Sequence, residues 1–560
     1  MHAPLLPRIA VALGACCALD AARAETPSVS EPAALVESAP ATATITEPEL
    51  AGHLQFLSSD LMKGRDTASP EIRIASEYLA TRLSTLGAEP VGDLDGDAPT
   101  YFAHFPLEFS TPEIEGTELT ITIEQDDVTW EIAGKVKEDF ILVPRNLAPG
   151  AVEAPVVFAG YGRTGTGDEP NDFDAVEVKD RIVLVLDGLP PGDEPEAEGR
   201  RNAQASGASS FTKLQAARDR GALALLVVHP FDSGDTRPYA ESNPFALRMF
   251  GRRSMTLGAS SNDGTPLLFL EDRLRDGIDE ALTLSDDPAT PRELESTRAR
   301  FAFASTVELI EDRNVIGMFP GRDEELRREV VVYSAHYDHV GVINGEIHNG
   351  ADDNGSGTSA LLEVAQAIAE GERPRRSVAF LWVSGEEKGL LGSRWWSEHM
   401  TLPNGYEVVA NINMDMVSRN DPNRVSITPS PEHPDYSTII PAAVAALELE
   451  AMEADFDADQ FYARTDSFNF ARLGIPIIFF FAGVHDDYHR PGDDFEKADV
   501  GKAVRISRAA YRLGWAIAEA DDRPQKIRPE TESDADADED AESKADAEAQ
   551  AEPAGATHDH

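Results

Sequence analysis

Cysteine is nearly absent. The 560 residues contain two, Cys16 and Cys17, and both fall in the opening stretch MHAPLLPRIAVALGACCALDAARA. That stretch has one early Arg8, an apolar run from Ile9 to about Leu19, and small Ala22 and Ala24 flanking Arg23, the pattern of a secretory signal cleaved after Ala24. A chain so processed has no thiol, which excludes thiol catalysis, thiolate metal ligation and disulfide staples. The alternative is lipoprotein cleavage after Leu13-Gly14-Ala15, which would leave a lipid anchor on Cys16. No later run reaches the ~18 apolar residues of a membrane helix, so the expectation is an exported protein, periplasmic or extracellular, soluble or tethered. Positive charge is scarce too: 49 Lys and Arg stand against 100 Asp and Glu, a formal net charge of -51. Phosphate binding needs concentrated Lys and Arg, so nucleic acid is excluded as a partner. G-x-S-x-G and H-E-x-x-H are also missing, which removes the serine-elbow hydrolases and the zincins.

What is present falls into blocks. A Pro/Ala/Thr-rich linker occupies 25–48. In the stretch from His53 to Gly87, Ile74, Tyr78, Leu79, Leu83 and Leu86 recur at helical spacing, and Gly87 suits a helix end. From about Asp139 the texture becomes β-rich, with APVVFAGYG, DRIVLVLDG, a helical FTKLQAARDRG and then GALALLVV, so an inserted domain is expected over 139–298. Longer α/β alternation follows: EVVVYSA, the helical TSALLEVAQAIAE, SVAFLWV, VVANINM and IPIIFFF. Strand, helix, strand at this spacing implies a largely parallel sheet covered on both faces. The principal α/β domain is therefore expected in two pieces, 49–138 and 299–520. The tail 521–560, with 14 acids against 4 bases and no apolar periodicity, is expected to be disordered.

In open α/β sheets, sites form beyond the carboxyl ends of the strands. Here those ends deliver His336, Asp338 and His339 after the first strand, Asp352 and Asp353 before the helix, and Glu386 and Glu387 after SVAFLWVSG. Asp415 closes VVANINM, and His485, Tyr488 and His489 follow IPIIFFF. Singly these are a helix cap, satisfied histidines and a turn. Jointly they gather carboxylates where mutual repulsion is costly unless cations enter. Imidazole with carboxylate suits Zn²⁺, and less well Mn²⁺ or Co²⁺.

The stretches SAHYDHVG, NGADDNGSGTSALLE, VSGEEKGLLGS, NMDM and DYHRPGDD, with the opening FLSSDLMKGRDTASP, resemble the M28 family of zinc metallopeptidases over most of residues 50–520. The inserted segment resembles a protease-associated (PA) domain. The resemblance implies the zinc-dependent exopeptidase fold, a mostly parallel mixed sheet sandwiched by helices, with a β-rich insert. It implies two Zn²⁺, one held by His336, Asp352 and Asp415, the other by Asp352, Glu387 and His489, with Asp352 shared. Glu386 would be the general base, Tyr488 the oxyanion donor, and Asp338 would orient the His336 ring. Arg464 matches an arginine in a similar run of some members, where Thr465 replaces the usual Ser and leaves its role open; Asp466 in the same run would have a structural part or support the ligands from outside, while His485 and the terminal His-Asp-His are read as surface residues. The expected activity is an aminopeptidase acting on peptides or proteins. A carboxypeptidase, a single-zinc glutaminyl-cyclase-like acyltransferase and a ligand-binding module without catalysis are the alternatives.

Overall fold

The computed structural model describes residues 35–40, 44–125, 127–143, 147–165, 170–190, 210–231, 254–258 and 264–527. The leader with Cys16, most of the linker and the acidic tail beyond residue 527 lie outside the described residues. Among those described, no helix is long and apolar enough to cross a membrane.

Two helices open the fold, α1 (Glu47–Leu57) and α2 (Pro70–Leu86). The Ser69 hydroxyl accepts from Ile72 N–H at 3.2 Å and Gly87 closes α2 at φ +75°, as the sequence predicts for that end. The buried stripe differs from the expected one: Ile72, Ala75, Leu79 and Leu83 are inside, whereas Ile74 is 51% exposed. Ile74 is one residue off that stripe, so the helix turns it outward. The expected linker also takes part, because Val36 and Ile45 are fully buried in the main core.

Fifteen strands are used below: β1 (Phe102–Gln125), β2 (Val128–Lys135), β3 (Phe140–Val143), β4 (Gly150–Phe158), β5 (Ile182–Leu186), β6 (Ala224–Val228), β7 (Ser254–Leu257), β8 (Leu267–Leu270), β9 (Arg292–Phe319), β10 (Glu329–His336), β11 (Ser377–Val383), β12 (Glu407–Asp415), β13 (Arg424–Thr428), β14 (Glu453–Asp455) and β15 (Ile477–Phe481). The principal sheet runs β14-β13-β15-β12-β10-β11-β9. β10 is parallel to both β11 and β12, and β12 is parallel to β15, while β9 and β13 join antiparallel. The sheet is therefore mixed and mostly parallel at its centre. Both faces are apolar. Val331 and Tyr333 of β10 pack with Leu54, Leu79, Leu361 of α3 (Gly357–Glu370) and Leu513 of α5 (Val500–Glu519). Val330 and Val332 face Trp396 of α4 (Leu391–Glu398) and Phe470. The parallel centre thus has its two layers of cover, as its unbroken apolar runs predict.

The insert hangs on two long strands. β9 pairs with β11 through Val315–Phe319 and with β4 through Arg298–Phe303, and β1 lies antiparallel to β9 from Phe102 to Ile123. Beyond them β4-β5-β6-β8-β3 extend the same ladder over a second core, which includes Ile121, Ile132, Leu184, Leu226 and Phe301. That core reaches back to Leu119, ahead of residue 139, because β1 crosses from one unit to the other without a break.

Packing between α5 and the sheet is close at Gly514. A Cβ built there would lie 1.7 Å from Tyr333 Oη, whose hydroxyl donates to Ala510 O at 2.9 Å. Gly514→Ala is expected to lower stability by about 1–3 kcal/mol through overpacking. Chemical denaturation of the purified variant checks this, and an unchanged midpoint would show that the helix can shift freely.

Candidate active site

Four strands and one helix bring their ends to a single edge. His336 ends β10 and Asp415 ends β12; Glu386 and Glu387 follow β11, His489 follows β15, and the Asp352–Asp353 turn leads into α3. The chain makes these exits through left-handed residues: Gly350 (φ +58°), Gly385 (φ +78°), Met416 (φ +54°) and His489 itself (φ +54°). At Gly350 a side chain has no room, since a Cβ would lie 2.2 Å from Asp353 O and 2.5 Å from the His339 ring. The fully buried Arg65 fastens two of the loops from below. Its guanidinium donates to the carbonyls of Tyr337 (3.0 Å), Asn349 (2.8 Å) and Gly350 (2.9 Å), as well as Leu57.

The donor atoms form two adjoining groups. His336, Glu386 and Asp415 offer atoms all within 4.8 Å of one another, and so do His339, Asp353 and Glu387. His336 Nε2 is 3.2 Å from Asp415 Oδ1 and 3.3 Å from Asp353 Oδ1. The other oxygen of Asp353 is 3.1 Å from His489 Nε2, which is also 3.1 Å from Glu387 Oε2. The Asp353 carboxylate therefore stands between the two groups, one oxygen toward each. Tyr488 stacks on His489 with ring centroids 3.8 Å apart.

Electrostatics separates the adjacent acids. Burial pushes Glu386 well above the usual carboxylate range, and Glu387, Asp466 and Asp415 add to it against the opposing His336. Glu387 is lowered, because His489 and the hydrogen bonds from His339 and His489 overcome its burial. Burial works against a charge on His489, yet Glu387 and Asp353 raise it to about 11, and His336 is raised in the same manner by Asp415 and Glu386. Neighbouring carboxylates pushed in opposite directions are suited to different tasks.

Several expected residues stand elsewhere. Asp352 is fully buried but turns its carboxylate away from both groups: Oδ1 accepts from Ser418 N–H and Oγ, both at 2.7 Å, and Oδ2 lies 3.3 Å from His485 Nε2. The place between the groups belongs to Asp353, because the turn is non-helical at Asp353 (φ -103°, ψ 97°) and sends successive side chains apart. His485, expected at the surface, has a side chain only 4% exposed. The Asp338 carboxylate is 3.8 Å from the His336 ring. The residue orients that ring through its backbone carbonyl instead, 3.1 Å from Nδ1, while the carboxylate accepts from Thr67 Oγ1 (2.9 Å) and from Glu386 N–H (3.2 Å). Arg464 lies over the Phe461 ring at 5.3 Å. Asp466 is completely buried and raised to about 6, by burial first.

His339 and His348 were not assigned roles by the sequence. His339 Nδ1 is 2.8 Å from Glu387 Oε1, and His348 Nδ1 is 3.0 Å from His489 O. The repeated His in HYDHVG was a usable signal for His339; nothing in its neighbourhood marks His348.

The residues fit divalent cations. Asp353, Glu386, Glu387 and Asp415 have no Lys or Arg ion-paired to them among the described residues, only imidazoles. Asp353 Oδ2 and His339 Nε2 are buried without a hydrogen-bond partner. Mixed imidazole and carboxylate donors, with buried oxygens to spare, are a zinc-type set.

Residues 314–513 match the model of peptidase family M28. The probable leucine aminopeptidase of Arthroderma benhamiae is 28% identical over 219 residues, 37% of this chain and 58% of that protein. The probable lipoprotein aminopeptidase LpqL of Mycobacterium tuberculosis is 25% identical over 344 residues, 60% of this chain and 57% of its own. The chain thus spans little more than half the length of these relatives. Among solved structures, the aminopeptidase from Aneurinibacillus sp. strain AM-1 aligns over 88% of this chain and 98% of its own, at 19% identity and a TM-score of 0.47. Residues 314–513, the stretch that matches the peptidase family M28 model, carry every carboxylate and imidazole of the two groups.

Proposed function

We propose that this protein is an exported two-zinc aminopeptidase that releases N-terminal residues from peptides. The observation that carries the reading is the Asp353 carboxylate, placed with one oxygen toward His336 and Asp415 and the other toward His489 and Glu387. His336, Asp353 and Asp415 would hold one ion, and Asp353, Glu387 and His489 the other. When bound, such a pair polarises a carbonyl and makes water acidic enough to attack it near neutral pH. Glu386 takes the proton of the attacking water and delivers it to the leaving amine. The Asp338 carboxylate fixes the loop of that base through the Glu386 N–H. The Tyr488 phenol, kept protonated by burial and by the nearby carboxylates, donates to the carbonyl oxygen as negative charge builds on it. The leader-like first 24 residues and the lipoprotein relative support export.

Metal analysis of the full-length protein, paired with peptides free or blocked at each end, tests the reading. Two zinc per chain and mass-spectrometric loss of N-terminal residues from free-amine peptides only are expected. Trimming of N-blocked peptides from the other end would instead mean a carboxypeptidase. One zinc with ring closure of N-terminal glutamine would mean an acyltransferase.

A further inference from the structure

The acid beside Asp353 has no place in the reaction just described, yet it is fully buried and one of its oxygens is closely bonded inside the fold. Asp352 Oδ1 accepts three hydrogen bonds, from Ser418 N–H, Ser418 Oγ and Ser356 Oγ at 2.7, 2.7 and 3.2 Å, and Oδ2 faces His485 Nε2 at 3.3 Å. Its own N–H points to both oxygens of Asp493 at 3.1 Å, beside the Asp353 N–H, which donates to Asp493 Oδ2 at 3.1 Å. Buried Lys502, which donates to Arg419 O at 2.6 Å, adds positive potential at Asp352.

These partners are distributed in a telling way. Ser418 is three residues past Asp415. His485 and Asp493 each stand four residues from His489, on opposite sides. Asp353 is the next residue. One carboxylate therefore touches or adjoins every segment that presents Asp353, Asp415 and His489. We propose that Asp352 is a positioning residue that holds these three loops at the separation a two-ion centre needs, bonded to Ser418 on one side and in close contact with the His485 ring on the other. The inference rests on the metallopeptidase reading above and extends it to a residue that touches neither substrate nor metal. Carboxylates that orient ligands from outside the coordination sphere govern affinity by about 10–100-fold.

The test uses the full-length chain stripped of metal. Zinc dissociation constants are measured by competition with a chromophoric chelator, the Co²⁺ absorption spectrum reports coordination geometry, and melting of the metal-free form reports the fold. Asp352→Asn is expected to keep two ions, bind at least one of them about 10–100-fold more weakly, shift the Co²⁺ bands and leave metal-free melting unchanged. Wild-type affinities with an unshifted spectrum overturn the proposal. So does outright loss of one ion in Asp352→Asn while Asp353→Asn keeps two, because Asp352 would then be a ligand. Should Asp352→Asn fail to fold, Ser418→Ala removes the hydroxyl donor and keeps the backbone donor, with an expected weakening of about 2–10-fold and the same spectral shift; no change in that variant counts against the proposal. Failure of the wild-type chain to take up zinc would sink the metallopeptidase reading and this inference with it, a result recognisable before any variant is made.

Discussion

Asp353→Ala is expected to remove stoichiometric zinc from the protein and to reduce kcat/KM by about 10⁴ or more. Losing an outer partner of a ligand costs about 10–100-fold for one ion. Asp353 faces both groups, so its loss should reach at least the product of two such effects, about 10⁴ at the upper end. Two further consequences follow from its surroundings. Its oxygens lie 3.3 Å from His336 and 3.1 Å from His489, one toward each group, so both imidazoles lose a partner together. The turn itself should survive, because Asp493 binds the backbone N–H groups of residues 352 and 353 and does not depend on that side chain. Elemental analysis with denaturation of the same sample separates loss of metal from loss of fold. Retention of two tightly bound zinc ions in Asp353→Ala would show that the groups do not share this carboxylate.

Glu386→Gln should behave in the opposite way, retaining both ions while kcat falls by about 10² to 10⁴ with KM little changed. The amide has the shape of the acid but cannot accept the water's proton. Its loop is pinned independently of the side chain, with Gly389 and Leu390 N–H donating to Glu386 O at 2.9 Å and the Glu386 N–H directed at Asp338. Glu387→Gln is the control, since Glu387 is ion-paired to His339 and His489 and its change should appear first as lowered metal occupancy. Turnover of Glu386→Gln near the wild-type rate would remove Glu386 as the base.

The two acids of SGEEKG illustrate how much can be read from the chain alone. Buried strands such as SVAFLWV announce themselves because a strand covered on both faces must be apolar throughout, and the residues after them must then gather at one edge. That reasoning brings His336, Glu386, Glu387, Asp415 and His489 together without coordinates. It does not decide between Asp352 and Asp353, because counting by helical face presupposes a helix and the turn is not helical there. Nor does it reveal that Asp338 acts on His336 through its carbonyl, since backbone and side chain of one residue are indistinguishable in a pattern of letters. Val36 and Ile45 illustrate the same limit in the core: a few apolar residues scattered through a Pro/Ala/Thr-rich stretch have no period, and only the shape of the finished surface makes a place for them.

The passage of β1 and β9 through both units has a practical corollary for anyone wishing to shrink this protein. Joining residue 138 to 299 would leave Leu119, Ile121 and Phe301 stranded in water, stripped of the layer they cover. A cut that respects the weave belongs where the ribbon is two strands wide and exposed, with Thr111 opposite Thr306, and a tight reverse turn sewn across that rung should let the remaining strands keep every bond they already make to each other.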